Sequence, residues 1–118
     1  MKEIKAFIRP LTVAEVVKEL KENGFCCITV TMAEGTGNYT DSNTSFPSLR
    51  HPFSHSEIVK LEIVVRDENV ERIVKIIHQH GKTGRSGDGL IYVTPVLDAY
   101  RVRDFKKGIE VLDHIKKM

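Results

Sequence analysis

The residues with the clearest chemical potential lie in one short segment. Residues 82–89 read KTGRSGDG, with glycines at 84, 87 and 89 around a single carboxylate, Asp88. Glycine lets the backbone come close to a ligand and aim successive amide hydrogens at it, an arrangement that binds anions, phosphates above all. A second glycine-flanked turn, Gly35-Thr36-Gly37, stands earlier in the chain. The stretch RHPFSH sets His51 and His55 four residues apart, a spacing that suits a metal on a helix. Pro52 argues against a helix there, and no third ligand stands nearby, so no metal site is assigned. Phe46 and Phe53 sit among polar residues and are candidate anchors for a protein partner, together with Arg50 and His51. No Ser-His-Asp or Cys-His arrangement can be assembled, so no catalytic residue is named and the chain is not read as an enzyme.

These residues must be held by a small scaffold. At 118 residues the chain fits one domain with one core. A hydrophobic fraction of 41% and a charged fraction of 29% are those of a soluble globular protein. The net charge of +2 is too balanced for a dedicated nucleic-acid or membrane binder. No apolar run is long enough to span a bilayer, and the first residues read as a strand, not as a signal peptide, so a cytoplasmic location is expected. Cys26 and Cys27, read as adjacent strand residues, point to opposite faces and are expected to be small half-buried hydrophobes that form neither a disulfide nor a metal site.

The chain contains a half-length echo. Residues 5–24 and 60–81 each read as an apolar strand, a capped turn, an amphipathic helix and a glycine stop. In the first, Thr12 is the expected cap with Glu15 as its capping-box partner, and Val13, Val16, Val17 and Leu20 form the apolar stripe. In the second, Asp67 is the expected cap, Val70, Ile73, Val74 and Ile77 form the stripe, and Gly81 ends it. Strands are expected to follow at 26–32 and 90–94. The order β-α-β, β-α-β predicts an α+β, ferredoxin-like sandwich with both helices on one face of a four-stranded antiparallel sheet. In the third strand Val59, Leu61, Ile63 and Val65 face one way and Ile58, Lys60, Glu62 and Val64 the other, so the uncovered face has apolar character and calls for another subunit. Residues 100–103 read as a short extra strand, and the extension 104–118 as a helix begun by Asp104, although Gly108 weakens it. A doubled βαβ needs only a short turn between its second and third strands. The long polar stretch there, about 36–57, is therefore expected to be functional.

Residues 82–96, KTGRSGDGLIYVTPV, resemble the nucleotide-binding loop and following strand of the PII signalling-protein superfamily, written TG-x-x-GDGKIFV-x-PV. MKEIKAFIRP resembles that family's first strand, KLEIVVRDENVERIV its third strand and second helix, and RVR at 101–103 its late basic pair. The resemblance is collinear over residues 1–103, taken as the domain, with the nucleotide loop at 82–90. It implies a homotrimer with three clefts between subunits, each binding an adenine nucleotide, ATP or ADP. The long loop, the family's T-loop, would then dock onto a regulated partner protein such as a membrane transporter or an enzyme. It further implies that Gly87, Asp88 and Gly89 hold phosphate, that Gly35, Thr36 and Gly37 line the loop base, that Thr29, Glu62 and Val64 surround the adenine, and that Arg101 and Arg103 reach over from the adjacent subunit.

The chain also departs from the family pattern. The lysine after GDG is Leu90, the arginine after G-x-G is Asn38, the glutamine that holds magnesium and 2-oxoglutarate is Tyr39, the T-loop lysine is Ile58, and the tyrosine that is uridylylated in some members is His51. Fewer cations favour di- or monophosphate over triphosphate and argue against magnesium and 2-oxoglutarate binding of the usual kind. Alternatives on the same fold are a CutA-like metal-related trimer and an acylphosphatase-like enzyme using Arg9, which lacks the expected glycine cradle because Pro10 follows. An RNA-binding domain would need aromatics on the central strands, and the third strand has none.

Overall fold

The computed structural model describes residues 1–40, 46–47 and 54–113. Strand β1 spans Lys2–Ile8, helix α1 Pro10–Glu22, β2 Thr29–Gly35, β3 Phe46–Pro47, β4 Ser54–Val65, helix α2 Val70–Gly81 and β5 Ile91–Pro95. The sheet runs β2-β4-β1-β5, every pairing antiparallel, with the two-residue β3 on the start of β4. Two βαβ crossovers interleaved in this order are the ferredoxin-like α+β fold.

Period-two alternation dictates which face is covered. In β1, Ile4, Ala6 and Ile8 are buried while Glu3, Lys5 and Phe7 are half-buried. Their cross-strand partners in β4 are Ile63, Leu61 and Val59, all buried, so the two central strands present one continuous apolar face. Val16 and Leu20 of α1 and Ile73 and Ile77 of α2 fill it from above, at helical spacing. The other face carries Lys5 over the Tyr92 ring, Phe7 against Tyr92 and Tyr39, and a Lys60–Glu62 ion pair.

Several boundaries differ from the sequence expectation. Helix α1 starts at Pro10, whose fixed φ suits the first helical position, with Arg9 as the extended N-cap residue. Thr12 is therefore inside the helix, and its hydroxyl donates to the carbonyls of Arg9 and Gly81 instead of capping. Asp67 opens a 3-10 turn, and Asn69 is the residue that precedes α2. Gly24 does take the left-handed conformation that ends α1, at φ 90°. Gly81 instead lies within α2, where a Cβ would sit 3.1 Å from Ile8 Cγ2, so it serves close helix–strand contact. Strand β2 begins at Thr29, three residues later than expected. Cys26 and Cys27 thus fall in the coil before it, and their sulfurs lie 3.7 Å apart rather than on opposite faces.

The chain after β5 forms neither the extra strand nor the helix begun by Asp104. Tyr100 bridges Lys107, Arg101 N–H donates to Lys106 O, and Gly108 N–H to Ala99 O, making a tight antiparallel turn. Asp104 accepts from Arg101 Nη1 and Lys106 N within it. Only a 3-10 turn, Ile109–Leu112, follows among the described residues. The 103/104 division proposed from sequence falls at the tip of this turn.

Candidate functional site

The 82–89 segment is organised around Asp88. Its Oδ1 accepts from Arg9 Nε at 2.8 Å and Thr83 Oγ1 at 2.6 Å, and its Oδ2 from the amides of Thr83 at 2.9 Å and Gly84 at 2.8 Å. Partial burial raises the carboxyl's pKa, but the Arg9 guanidinium, the Thr83 hydroxyl and the two amides together hold it well below the usual carboxylate range. Arg9 also donates from Nη2 to Ser86 O at 2.6 Å, and is only 8% exposed. One guanidinium at the end of β1 therefore clamps two points of a loop almost eighty residues away in sequence. The carboxylate is committed to Arg9 and to donors of the loop itself, so what this segment can offer an anion is its backbone amides and its exposed Lys82. Among the described residues the amides of Gly87 and Gly89 donate to no protein acceptor.

Both glycines are required by shape. Gly87 sits at φ 100°, and a Cβ there would lie 2.7 Å from the Thr40 carbonyl oxygen. A Cβ on Gly89 would land on the Phe7 carbonyl oxygen. The two glycine-rich turns thus meet within one chain: the 84–89 loop rests on the backbone just after Gly37, itself at φ 60°. Gly35 is buried, with room for no side chain because Tyr39 Cβ would be 2.6 Å away. Thr36 is exposed and precedes the 3-10 turn Gly37–Tyr39. Beside this junction is a cavity of about 270 Å³ lined by Arg9, Leu11, Tyr39, Ile58, Arg85 and Gly87, among others. Ile58 is buried, and Tyr39 packs at a tilt against Phe7, with ring centroids 5.2 Å apart. Tyr39 thus offers this cavity an aromatic ring with its hydroxyl, and Ile58 an aliphatic side chain.

Thr29, Glu62 and Val64 also come together. They line a cleft of about 230 Å³ with Glu3, Cys27 and Ile63, closed on one side by Val111 and Leu112 of the C-terminal 3-10 turn. That turn is tied down by an Arg66 Nη2–Asp113 Oδ1 ion pair of 2.8 Å, beside which the Arg66 pKa is raised. Arg101 is engaged by Asp104 at 3.1 Å. Arg103 is exposed and makes no ion pair among the described residues. Neither is bonded to the 82–90 loop of its own chain. Phe46 contributes backbone pairing to His55 through β3. Arg50, His51 and Phe53 lie outside the described residues.

Sequence reasoning missed the structural roles of four residues. Arg9 was weighed only as an enzyme's arginine, yet its guanidinium is occupied by Asp88 and Ser86. The signal is a charge placed directly between an alternating apolar strand and a helix-starting proline, at the end of a central strand. Val111 and Leu112 carried no signal beyond their apolar character. His80, near the end of α2, reaches Glu15 of α1 at 3.1 Å and joins the two helices. Among the described residues no group of three or more His, Cys, Asp or Glu could hold a metal, and no helix is long and apolar enough to cross a membrane.

Comparison with known proteins agrees with this architecture. The family model described as "Nitrogen regulatory protein P-II" matches residues 1–106. A nitrogen regulatory protein P-II of Azospirillum brasilense is 40% identical over 108 residues, 92% of this chain and 96% of its own. That of Rhizobium meliloti is 35% identical over 112 residues, 95% of this chain and all of its own. A Methanosarcina barkeri protein named "Nitrogen fixation nifHD1 region GlnB-like protein 1" is 36% identical over 111 residues, 92% of this chain and all of its own. The first two are named as regulatory proteins, and none of the three names points to the CutA-like or acylphosphatase-like alternatives. With the ferredoxin-like sheet, the GDG loop and a match running nearly end to end, the chain belongs to the PII family of nitrogen regulatory proteins.

Proposed function

We propose that this chain is a PII-type signal-transduction protein that assembles as a homotrimer, binds an adenine nucleotide at its subunit interfaces and regulates a partner protein through residues 36–57. The observation that carries this reading is the state of the 82–89 loop. Four donors, one of them a nearly buried guanidinium, fix its shape, while among the described residues the amides of Gly87 and Gly89 donate to no protein acceptor. Preorganised amides of this kind suit a phosphate. Arg101 and Arg103, from the turn after β5, supply guanidiniums across the subunit boundary. Thr29, Glu62 and Val64 line a slot for the base, and Gly35, Thr36 and Gly37 adjoin the phosphates.

Leu90 is 54% exposed where a lysine would add positive charge, and the family pattern's glutamine and T-loop lysine are replaced by Tyr39 and Ile58, neither of which carries a cation. The site therefore favours ADP or AMP over ATP, and the usual magnesium and 2-oxoglutarate chemistry has no side chains to support it. Calorimetry with ATP, ADP and AMP, alongside sedimentation to establish the trimer, tests the proposal. ADP binding at one site per subunit, lost in Gly87→Val, is expected. A monomer indifferent to all three nucleotides, or submicromolar ATP binding strengthened by 2-oxoglutarate, refutes it.

A further inference from the structure

The two cysteines carry a chemistry that the nucleotide reading does not use. Cys26 and Cys27 lie in the coil between α1 and β2, where Phe25 N–H bonds to Leu20 O at 2.8 Å and Ile28 N–H to Cys26 O at 3.1 Å. This tight turn sets the two sulfurs 3.7 Å apart, with Cys27 exposed and Cys26 half-buried. Both line a cleft of about 160 Å³ under Leu112 and Asp113, and Cys27 is also part of the wall that holds Thr29, Glu62 and Val64.

We propose that Cys26 and Cys27 form a vicinal dithiol that closes to a disulfide by exchange with a small disulfide such as oxidised glutathione, and that the closed ring reshapes the Thr29–Glu62–Val64 cleft. The Cys27 thiolate attacks one glutathione sulfur, the glutathione S–S bond breaks, and one glutathione leaves. The Cys26 thiol then attacks the Cys27 sulfur of the mixed disulfide, expelling the second glutathione. Two electrons pass from the protein to glutathione, and the two thiol protons end on the two departing molecules. Burial and the neighbouring Cys26 raise the Cys27 pKa, so the exchange quickens as pH rises.

Neighbouring Cα atoms are about 3.8 Å apart, below the roughly 4.4–6.8 Å usual for a disulfide. The ring is therefore strained and easily reduced, the property of regulatory rather than structural disulfides. Drawing the sulfurs together to about 2.05 Å must turn the 26–27 peptide, two residues before Thr29. The effect on the cleft rests on the nucleotide reading above; formation of the ring does not.

The test uses the full chain, reduced and then treated with oxidised glutathione. Intact mass is expected to fall by two hydrogens with no glutathione retained, and both thiols to vanish from titration. Cys26→Ser should instead retain one glutathione. ADP affinity measured calorimetrically should weaken about tenfold in the closed form, about 1.4 kcal/mol, and recover on reduction. A stable mixed disulfide or a cross-linked dimer in the wild type overturns the ring. Equal ADP affinity in the two forms overturns the coupling. Absence of ADP binding in the reduced form overturns the nucleotide reading, and with it the coupling, while the mass readout still decides the ring.

Discussion

Replacing Asp88 by Asn probes the physical basis of the candidate site directly. The side chain keeps its shape, but four donors converge on it: Arg9 Nε and Thr83 Oγ1 on one oxygen, the amides of Thr83 and Gly84 on the other. Whichever way a carboxamide is turned, its NH₂ faces two donors, and Arg9 loses its counter-charge in a nearly buried position. Breaking a buried pair typically costs about 3–5 kcal/mol, and charge-assisted bonds contribute about 1.5–3 kcal/mol each without adding fully. The Asp88 side chain is 27% exposed, which screens part of this, so about 3 kcal/mol is the working figure. At about 1.4 kcal/mol per decade, hydrogen exchange of the Thr83 and Gly84 amides should accelerate about a hundredfold, with ADP affinity falling alongside.

The same pair has a pH signature. The folded carboxyl titrates below its unfolded value, so its stabilisation is complete above the ordinary carboxylate range and is lost as pH falls toward the depressed value. The stability difference between wild type and Asp88→Asn should therefore stay constant from pH 7 to about 5 and shrink below about 4. Unchanged exchange at Thr83 and Gly84 together with wild-type ADP affinity would refute the clamp.

Further outcomes follow from other contacts. Gly89→Ala drives a methyl into the Phe7 carbonyl beside the Phe7 N–Leu90 O bond, and should cost about 2 kcal/mol, a fall of about 8 °C in Tm by calorimetry. Leu61→Ala empties the centre of the apolar face and should lower unfolding free energy by about 2–5 kcal/mol in a urea titration. Replacing Phe46 and Phe53 together by Ala should abolish capture of the regulated partner while leaving ADP affinity at the wild-type value. Loss of both activities would place the aromatics in the nucleotide site instead.

Much of the scaffold was readable because burial follows period. Ile4, Ala6 and Ile8 alternate, Ile73 and Ile77 recur at one turn, and both mark the covered face as soon as they are written out. Where reading failed, a tertiary or local backbone effect outweighed propensity. Cys26, Cys27 and Ile28 are good strand formers, but the chain is still turning out of α1 through Phe25 N–Leu20 O and pairs with β4 only from Thr29. The expected tail helix is defeated by Gly108 at φ 104° and by the pairing of Tyr100 with Lys107. At the site, the GDG block was visible as a pattern, but not the partner that fixes it. The Arg9–Asp88 bond joins residues 79 apart, and no local spacing encodes such a contact.

The Thr40 carbonyl against Gly87 bears on how a message could leave the molecule. Gly87 of the 84–89 loop lies so close to the root of the 36–57 segment that even a Cβ there would meet the Thr40 carbonyl. No relay through the core is needed. Any shift of the loop of a few tenths of an ångström has to be accommodated at residue 40, because tightly packed atoms do not compress. Under the function proposed above, reciprocity then requires that a partner gripping the segment retune the loop's affinity for a nucleotide by the same factor.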